Sequence, residues 1–123
     1  MIQLTKLTKQ YGFGDATYNA LDEVTLKIEK GEFMGPSGCG KTTLLNVIGL
    51  LDRANEGDYL LDGKSVKRLS AKQQARVRSN QIGIVFQSFN LITRMTVLEN
   101  VALPLTYKGI GRTKRLMRAS EVL

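Results

Sequence analysis

Residues 35–42 read GPSGCGKT, a full match to the phosphate-binding pattern G-x-x-x-x-G-K-[ST]. The three glycines of this stretch carry no Cβ atom, so the backbone can bend sharply and bring its N–H groups close to an anion. Lys41 adds a positive charge that reaches toward the outer phosphates, and Thr42 offers a hydroxyl to Mg²⁺. The stretch therefore predicts a site for a phosphorylated ligand.

The residues after this loop predict a helix. Leu44, Val47, Ile48 and Leu51 recur at the spacing of a buried helical stripe. The N-terminal end of such a helix carries a partial positive charge, which would face the same anion. The alternative is a glycine-rich turn before an ordinary core helix, but a plain turn has no use for the Lys-Thr pair at its exit.

The composition limits the class of protein. A chain of 123 residues forms one domain or part of one, and its 42% hydrophobic content is enough for a core. The sequence contains no run of about 20 apolar residues, the length needed to span a bilayer. The polar sequence after Met1 predicts that there is no signal peptide. A single cysteine excludes an internal disulfide and fits the cytosol, and the absence of histidine excludes His-based metal sites and triads.

The chain is basic, with a net charge of +7 that is concentrated in residues 64–78 and 108–118. Runs of charge are usually solvated faces, and neither stretch carries the interleaved aromatic residues of a single-strand binding platform. We therefore expect no nucleic-acid partner. Nucleic-acid binding stays open as an alternative function, and it would show a steep dependence on salt.

Alternating apolar residues predict strands at residues 2–7 and 24–28, with a loop at residues 11–15 between them. A short strand is expected at residues 59–61, followed by a tight turn. The apolar run at residues 82–86 has the composition of a strand buried in a parallel sheet.

Capping signals predict where two helices begin. Ser70, followed by Gln73 or Gln74, should cap a helix that runs to about residue 79. Thr96 and Glu99 have the spacing of a capping box before a second helix.

Pro104 should end or kink that second helix, and residues 113–123 predict another one. The order of elements is short antiparallel strands, then strand, loop and helix, then a buried strand and further helices. This order fits a P-loop α/β sheet with an added antiparallel layer.

Beyond the phosphate loop, the chain resembles the nucleotide-binding domain of ABC transporters, closest to the bacterial lipoprotein-releasing and macrolide-exporter type. The specific matches are the phosphate loop and residues 85–89, within a resemblance that covers the whole chain. The matching segments are residues 7–11, 20–24, 30–33, 35–42, 46–52, 82–91 and 96–104.

The resemblance implies an α/β fold of the P-loop NTPase, ABC type, with a mixed sheet, an antiparallel β layer and the start of a helical subdomain. Residues 1–123 would form the N-terminal part of one nucleotide-binding domain. Residues 1–92 would contain the ATP-binding core and the antiparallel layer, and residues 93–123 would begin the helical subdomain.

The motif and the resemblance together imply ATP and Mg²⁺ as ligands. In the family, an aromatic residue matching Tyr11 stacks on adenine, a residue matching Thr43 binds the inner phosphate, and Gln87 matches the glutamine of the Q-loop. The ATP-binding residues would be Tyr11, Gly35, Pro36, Ser37, Gly38, Cys39, Gly40, Lys41, Thr42 and Thr43; the Mg²⁺ ligands would be Thr42 and Gln87; and the catalytic residues would be Lys41 and Gln87.

Three of these residues have simpler alternatives or further consequences. Tyr11 could instead pack its own turn, and Gln87 could be a plain polar cap on a strand. Cys39 matches a variable position of the loop. A thiol beside Lys41 at a helix N-terminus is expected to be reactive, so alkylation should block nucleotide binding and ATP should protect.

The sequence departs from the family pattern before the phosphate loop. Only Phe33 and Met34 stand between Glu32 and Gly35, where the family usually has a longer apolar strand. The deficit is three residues, or roughly 10 Å of strand. Either the deletion is real and weakens the sheet and ATP binding, or residues are absent from the sequence given.

The second departure concerns catalysis. These 123 residues contain no LSGGQ signature, no apolar strand ending in Asp-Glu and no switch histidine. Phosphoryl transfer to water needs a positioned water as well as a phosphate cradle. We therefore expect this chain to bind ATP without hydrolysing it efficiently, whereas the complete parent would be an ATP hydrolase.

The resemblance predicts an ATP-binding subunit of an ABC transporter that couples ATP to the export or release of a substrate. The implied partners are transmembrane permease subunits and a second ATP-binding subunit, a homodimer in the parent. The implied location is the cytoplasm, peripheral on the inner face of the membrane. The alternative is a non-catalytic nucleotide-binding or interaction module.

Overall fold

The computed structural model describes residues 1–29, 38–86 and 88–123. These residues form two compact units, Met1–Arg78 and Ser79–Leu123. The strand expected directly before the phosphate loop, at Phe33 and Met34, lies outside the described residues.

The N-terminal unit contains an antiparallel sheet with the strand order β2-β1-β3-β4. Its strands are β1 (Ile2–Phe13), β2 (Ala16–Ile28), β3 (Glu56–Leu61) and β4 (Lys64–Ser65). The predicted strands at residues 2–7, 24–28 and 59–61 are confirmed, and the tight turn at residues 62–63 joins β3 to β4.

The loop predicted at residues 11–15 is wrong for most of its length. β1 continues to Phe13, and the turn contains only Gly14 and Asp15. Tyr11 pairs with Tyr18 across the hairpin. Strand pairing satisfies the backbone hydrogen-bonding groups here even at Gly12. The φ of Gly12 is 114°, a value that glycine adopts readily and that is strained for other residues.

The β1–β2 hairpin has register shifts that bend it. Lys9 pairs with Leu21 and Gln10 pairs with Asn19, so Ala20 is the extra residue of β2. A β-bulge of this kind bends the strand and changes where the neighbouring groups point. The carbonyl oxygen of Ala20 lies close to Gly40, at the exit of the phosphate loop.

The described residues contain four helices, α1 (Lys41–Ile48), α2 (Ala71–Gln81), α3 (Val97–Tyr107) and α4 (Arg112–Ser120). The predicted start of α2 is confirmed, because the Ser70 N–H donates to Gln73 Oε1 at 2.8 Å and the Gln73 N–H donates to Ser70 Oγ at 3.3 Å.

The predicted apolar stripe of α1 is correct for Leu44 and Val47, which are buried, and wrong for Leu51. The helix ends at Ile48, and the next residues turn back: the Leu51 N–H donates to the Asn46 carbonyl at 2.9 Å and the Leu50 N–H to the Val47 carbonyl at 3.1 Å. This is the Schellman pattern. It buries Leu50, which is 3% exposed, and leaves Leu51 48% exposed.

The buried strand predicted at residues 82–86 is also wrong, because the structure assigns no strand to these residues. Val85 is 98% exposed and Phe86 is 53% exposed. A strand forms by pairing its backbone with a neighbour, and none of the described strands pairs with this segment.

The C-terminal unit contains α3 and α4. The capping box predicted at Thr96 and Glu99 is present at the start of α3. Pro104 does not end α3, which continues to Tyr107. The last helix begins one residue earlier than predicted and ends at Ser120, short of residue 123.

Candidate functional site

The second half of the phosphate loop leads directly into α1. Gly40 is the residue before the helix, with φ of 85° and ψ of 7°, and Lys41 is its first residue. Of the predicted ATP-binding residues, the structure brings Gly38, Cys39, Gly40, Lys41, Thr42 and Thr43 together at this helix start. Gly35, Pro36 and Ser37 lie outside the described residues.

Among the residues that the structure describes, no side chain caps the start of α1. Gly40 makes no side-chain cap hydrogen bond, and the first turn contains no acidic residue. The first N–H groups of any α-helix lack partners within the helix, and their combined dipole favours a negative charge. The start of α1 is therefore chemically suited to an anion such as a phosphate group.

Gly40 is required at this position for two reasons. Its positive φ is unfavourable for residues with a Cβ atom. A Cβ atom added there would also lie 2.7 Å from the Ala20 carbonyl oxygen, too close for a real contact. The loop exit therefore rests directly against the bulge of β2.

The charged and hydroxyl side chains at the loop exit are near the surface. Lys41 Nζ lies 3.7 Å from Cys39 Sγ, and both Cys39 and Thr42 are exposed. The protection of Cys39 by ATP stays a prediction. An exposed Thr42 hydroxyl at the start of α1 fits the predicted magnesium role in its chemistry, since Mg²⁺ prefers oxygen ligands.

Tyr11 lies on β1 in the same unit, and the hairpin connects it to the loop exit. Tyr11 pairs with Tyr18, and the Ala20 carbonyl, two residues further along β2, faces Gly40. The two rings are tilted by 43° with centroids 6.0 Å apart. The predicted adenine platform at Tyr11 and the loop exit at Gly40 thus both lie against the β1–β2 hairpin.

Asp52 is a site residue that the sequence analysis missed, since no local motif marks it. Its carboxylate accepts hydrogen bonds from Lys9 Nζ at 2.9 Å, from the Arg53 N–H at 2.7 Å and from the Tyr11 hydroxyl at 3.1 Å. Only the tertiary fold brings these groups together, since 41 residues separate Tyr11 from Asp52.

These contacts keep Asp52 ionised. Partial burial raises the pKa of the carboxyl, but the hydrogen bonds from Lys9, Arg53 and Tyr11 and the Lys9 charge outweigh that effect. The net result is a pKa below the ordinary value. At neutral pH a carboxylate therefore lies beside the hydroxyl of Tyr11.

The predicted Gln87 lies outside the described residues. Its roles in catalysis and in magnesium binding stay predictions. Within the part of the chain that the structure describes, no group of three His, Cys, Asp or Glu side chains is placed to hold a metal ion. Nor does that part contain a helix long and apolar enough to cross a membrane.

Comparisons with known proteins agree with this fold. The family described as ABC transporter matches residues 21–123. An uncharacterized ABC transporter ATP-binding protein, YknY of Bacillus subtilis, is 44% identical over all of this chain and 55% of its own length. The macrolide export ATP-binding/permease protein MacB of Mannheimia succiniciproducens is 42% identical over all of this chain and 20% of its own length.

Solved structures give the same result. The dimeric ATP-binding cassette MJ0796 in a post-hydrolysis state bound to ADP and Pi has a TM-score of 0.85 and 43% identity. The match covers 98% of this chain and 55% of that one. The predicted α/β fold class is thereby confirmed, and this chain spans about half the length of several relatives that it matches.

Proposed function

Because this chain belongs to the ABC transporter family, we propose that it binds Mg²⁺–ATP at the start of α1 as the ATP-binding part of a transporter. The observation that carries the proposal is the helix start without a capping side chain, formed by Gly40 and followed at once by Lys41. Backbone N–H groups and one ammonium group would together hold the phosphates. Tyr11 would stack on the adenine, since stacking needs only a flat ring and discriminates little between bases.

Each residue of the proposed site would have a separate role in binding the phosphates or Mg²⁺. Lys41 would neutralise charge on the outer phosphates, and Thr43 would hydrogen-bond the inner phosphate. Thr42 and Gln87 would hold Mg²⁺, which supplies charge neutralisation on the phosphate oxygens when it is bound. Gly35, Pro36 and Ser37 would complete the loop around the phosphates.

These 123 residues would bind ATP without efficient turnover. They provide the cradle, Lys41 and Gln87, but they contain no candidate for the carboxylate base expected after an apolar strand. We propose ATP hydrolysis for the complete parent. Phosphate release measured on this chain and on the complete gene product separates this proposal from a non-catalytic nucleotide-binding module, for which neither protein would turn over.

The proposed partners are transmembrane permease subunits and a second copy of the ATP-binding subunit. MacB carries an ATP-binding part and a permease in one protein by name, and MJ0796 is dimeric in its solved structure. Phe89 and Leu91 are exposed apolar residues just after Gln87, in the segment that we propose to contact a membrane subunit. This arrangement would place the protein in the cytoplasm, on the inner face of the membrane.

Titration with a fluorescent ATP analogue in the presence of Mg²⁺ tests the phosphate site. Lys41→Ala should lower the affinity roughly 10- to 150-fold, the equivalent of a hydrogen bond to a charged group. Lys72→Ala is the matched control, because Lys72 is an exposed lysine on α2. This variant should bind ATP with the affinity of the wild type. Equal affinities of the wild type and Lys41→Ala would overturn the proposal.

Nucleic-acid binding is the competing function for a basic chain. One member of the first basic stretch already has a structural role, because Arg78 Nη1 donates to the Leu50 carbonyl at 2.6 Å. Binding to DNA that weakens steeply with salt, together with no response to ATP, would support the competing function instead.

A further inference from the structure

The tyrosine proposed to stack on adenine is held by a neighbouring ion pair. Tyr11 donates its hydroxyl hydrogen to Asp52 Oδ2 at 3.1 Å. Asp52 Oδ1 accepts from Lys9 Nζ at 2.9 Å, and the same ammonium lies 4.9 Å from the centroid of the Tyr11 ring. The ion pair therefore contacts the tyrosine both at its hydroxyl and at its ring face.

Lys9 is fixed in this position by its surroundings. Its side chain is only 12% exposed, and its ammonium also donates to the Arg53 carbonyl at 2.9 Å. A charge that is largely removed from water needs such partners. Its position over the ring is a cation–π contact.

Asp52 is fixed by the end of α1. The Asp52 N–H donates to the Asn46 carbonyl at 3.1 Å, directly after the Schellman turn. Arg53 extends the connection to α2, because its Nε donates to Gln74 Oε1 at 3.1 Å and its Nη2 donates to the Leu69 carbonyl at 2.9 Å. The residue whose carboxylate binds Tyr11 is thus joined by a backbone hydrogen bond to Asn46 of α1, the helix that begins at the phosphate loop.

We propose that Asp52 and Lys9 are positioning residues, which fix the Tyr11 ring relative to the phosphate site at the start of α1. The eight residues of α1 span about 12 Å. This helix connects the phosphate end of the site to the group that orients the base end. The inference rests on the proposed function, and it adds that the base contact depends on the ion pair.

The test compares two ligands of the unmodified chain and its variants by calorimetry. ATP uses both ends of the site, whereas inorganic tripolyphosphate uses only the phosphate end. Tyr11→Ala should lower the affinity for ATP roughly 5- to 150-fold and leave tripolyphosphate unchanged. Tyr11→Phe removes only the hydroxyl, and it should lower the affinity for ATP about two- to fivefold.

Asp52→Ala should resemble Tyr11→Phe, with weaker ATP binding and unchanged tripolyphosphate binding. The double variant Tyr11→Phe/Asp52→Ala should bind ATP no more weakly than Asp52→Ala alone. Both substitutions remove the same hydrogen bond between the Tyr11 hydroxyl and Asp52. Asp52→Asn keeps an acceptor for the tyrosine hydroxyl and should recover part of the lost affinity. Asp58→Asn is the matched control, because Asp58 is also an aspartate paired with a lysine, at 3.8 Å from Lys67, and it lies away from Tyr11 on β3.

The outcomes separate the inference from the proposed function. Normal ATP binding by both Tyr11→Phe and Asp52→Ala overturns the inference, and so does an equal loss for ATP and tripolyphosphate. Should Asp52→Ala fail to fold, Tyr11→Phe alone decides between these results. If the wild type binds neither ligand, the proposed function fails and the inference falls with it.

Discussion

Two helices of this chain begin in opposite ways. At the start of α3, Thr96 Oγ1 accepts from the Glu99 N–H at 3.2 Å, and Glu99 Oε2 accepts from the Thr96 N–H at 3.0 Å. At the start of α1, Gly40 provides no capping side chain, and the first turn has no acidic residue. A helix start whose N–H groups are bonded by its own capping side chains has a structural role. A helix start without capping side chains is suited to a ligand.

The strongest test of this difference gives α1 the acidic residue of α3. Thr43→Glu places a carboxylate at the third residue of α1, the position that Glu99 holds in α3. A like charge about 4 Å from a phosphate costs up to roughly 4 kcal/mol at an effective dielectric constant of 20, so ATP affinity should fall by up to about 1,000-fold. Calorimetric titration measures the ATP affinity of this variant. Undiminished ATP binding would show that phosphates do not lie at the start of α1.

The same variant should affect stability in the opposite direction. A carboxylate in the first turn favours the helix by about 0.3–1 kcal/mol, so the midpoint of urea unfolding should not decrease. This result would separate lost binding from lost folding.

The next test compares two glycines of the loop exit. Gly40→Ala should lower the free energy of unfolding by roughly 2–5 kcal/mol, because it combines a left-handed backbone with a clash against the Ala20 carbonyl. Gly38→Ala is the matched control: its φ is 81°, but no atom of the described residues lies within 4 Å of an added Cβ. It should cost only about 1–2 kcal/mol, and urea unfolding of both variants gives the difference.

Removing the cap of α3 should produce a smaller effect of a different kind. Thr96→Ala should destabilise the chain by about 1 kcal/mol and leave ATP affinity unchanged, since the cap has no role in the proposed site. Thermal unfolding and ATP titration of one sample check both statements. A parallel loss of ATP affinity would contradict the division between the two helix starts.

The smallest effect concerns pH. Hydrogen bonds from the Thr96 N–H and hydroxyl, with the Arg112 charge, hold the pKa of Glu99 below its ordinary value of 4.5. A lowered pKa means that the carboxylate stabilises α3 at pH above about 4.5 and that this contribution is lost as the pH falls through the folded-state pKa. Helical circular dichroism from pH 7 to pH 3 should fall more steeply in the wild type than in Glu99→Gln.

Local signals in the sequence predicted the capped helices well. The pairs Ser70 with Gln73 and Thr96 with Glu99 are three residues apart, so their hydrogen bonds need only the helix itself. The same holds for the loop exit, where glycine and lysine at fixed spacing place Gly40 and Lys41 at the start of α1.

Features that depend on distant residues could not be predicted in this way. The apolar run at residues 82–86 has the composition of a buried strand, but a strand also requires a pairing partner, which the local sequence cannot supply. The burial of Leu50 rather than Leu51 depends on where α1 ends. The contact of Asp52 with Tyr11 exists only because β1 and the end of α1 meet in the fold.

One contact between α1 and the sheet has a use in experiments. The buried Tyr59 donates its hydroxyl hydrogen to the Ile48 carbonyl at 2.9 Å, and burial together with the nearby Asp62 charge raises its pKa from 10.0 to about 12. A raised pKa means that this stabilising contribution is complete below pH 10 and is lost as the pH rises through about 12. In an alkaline titration followed by ultraviolet absorbance, delayed ionisation of Tyr59 would therefore report, without any label, whether the end of α1 still contacts β3.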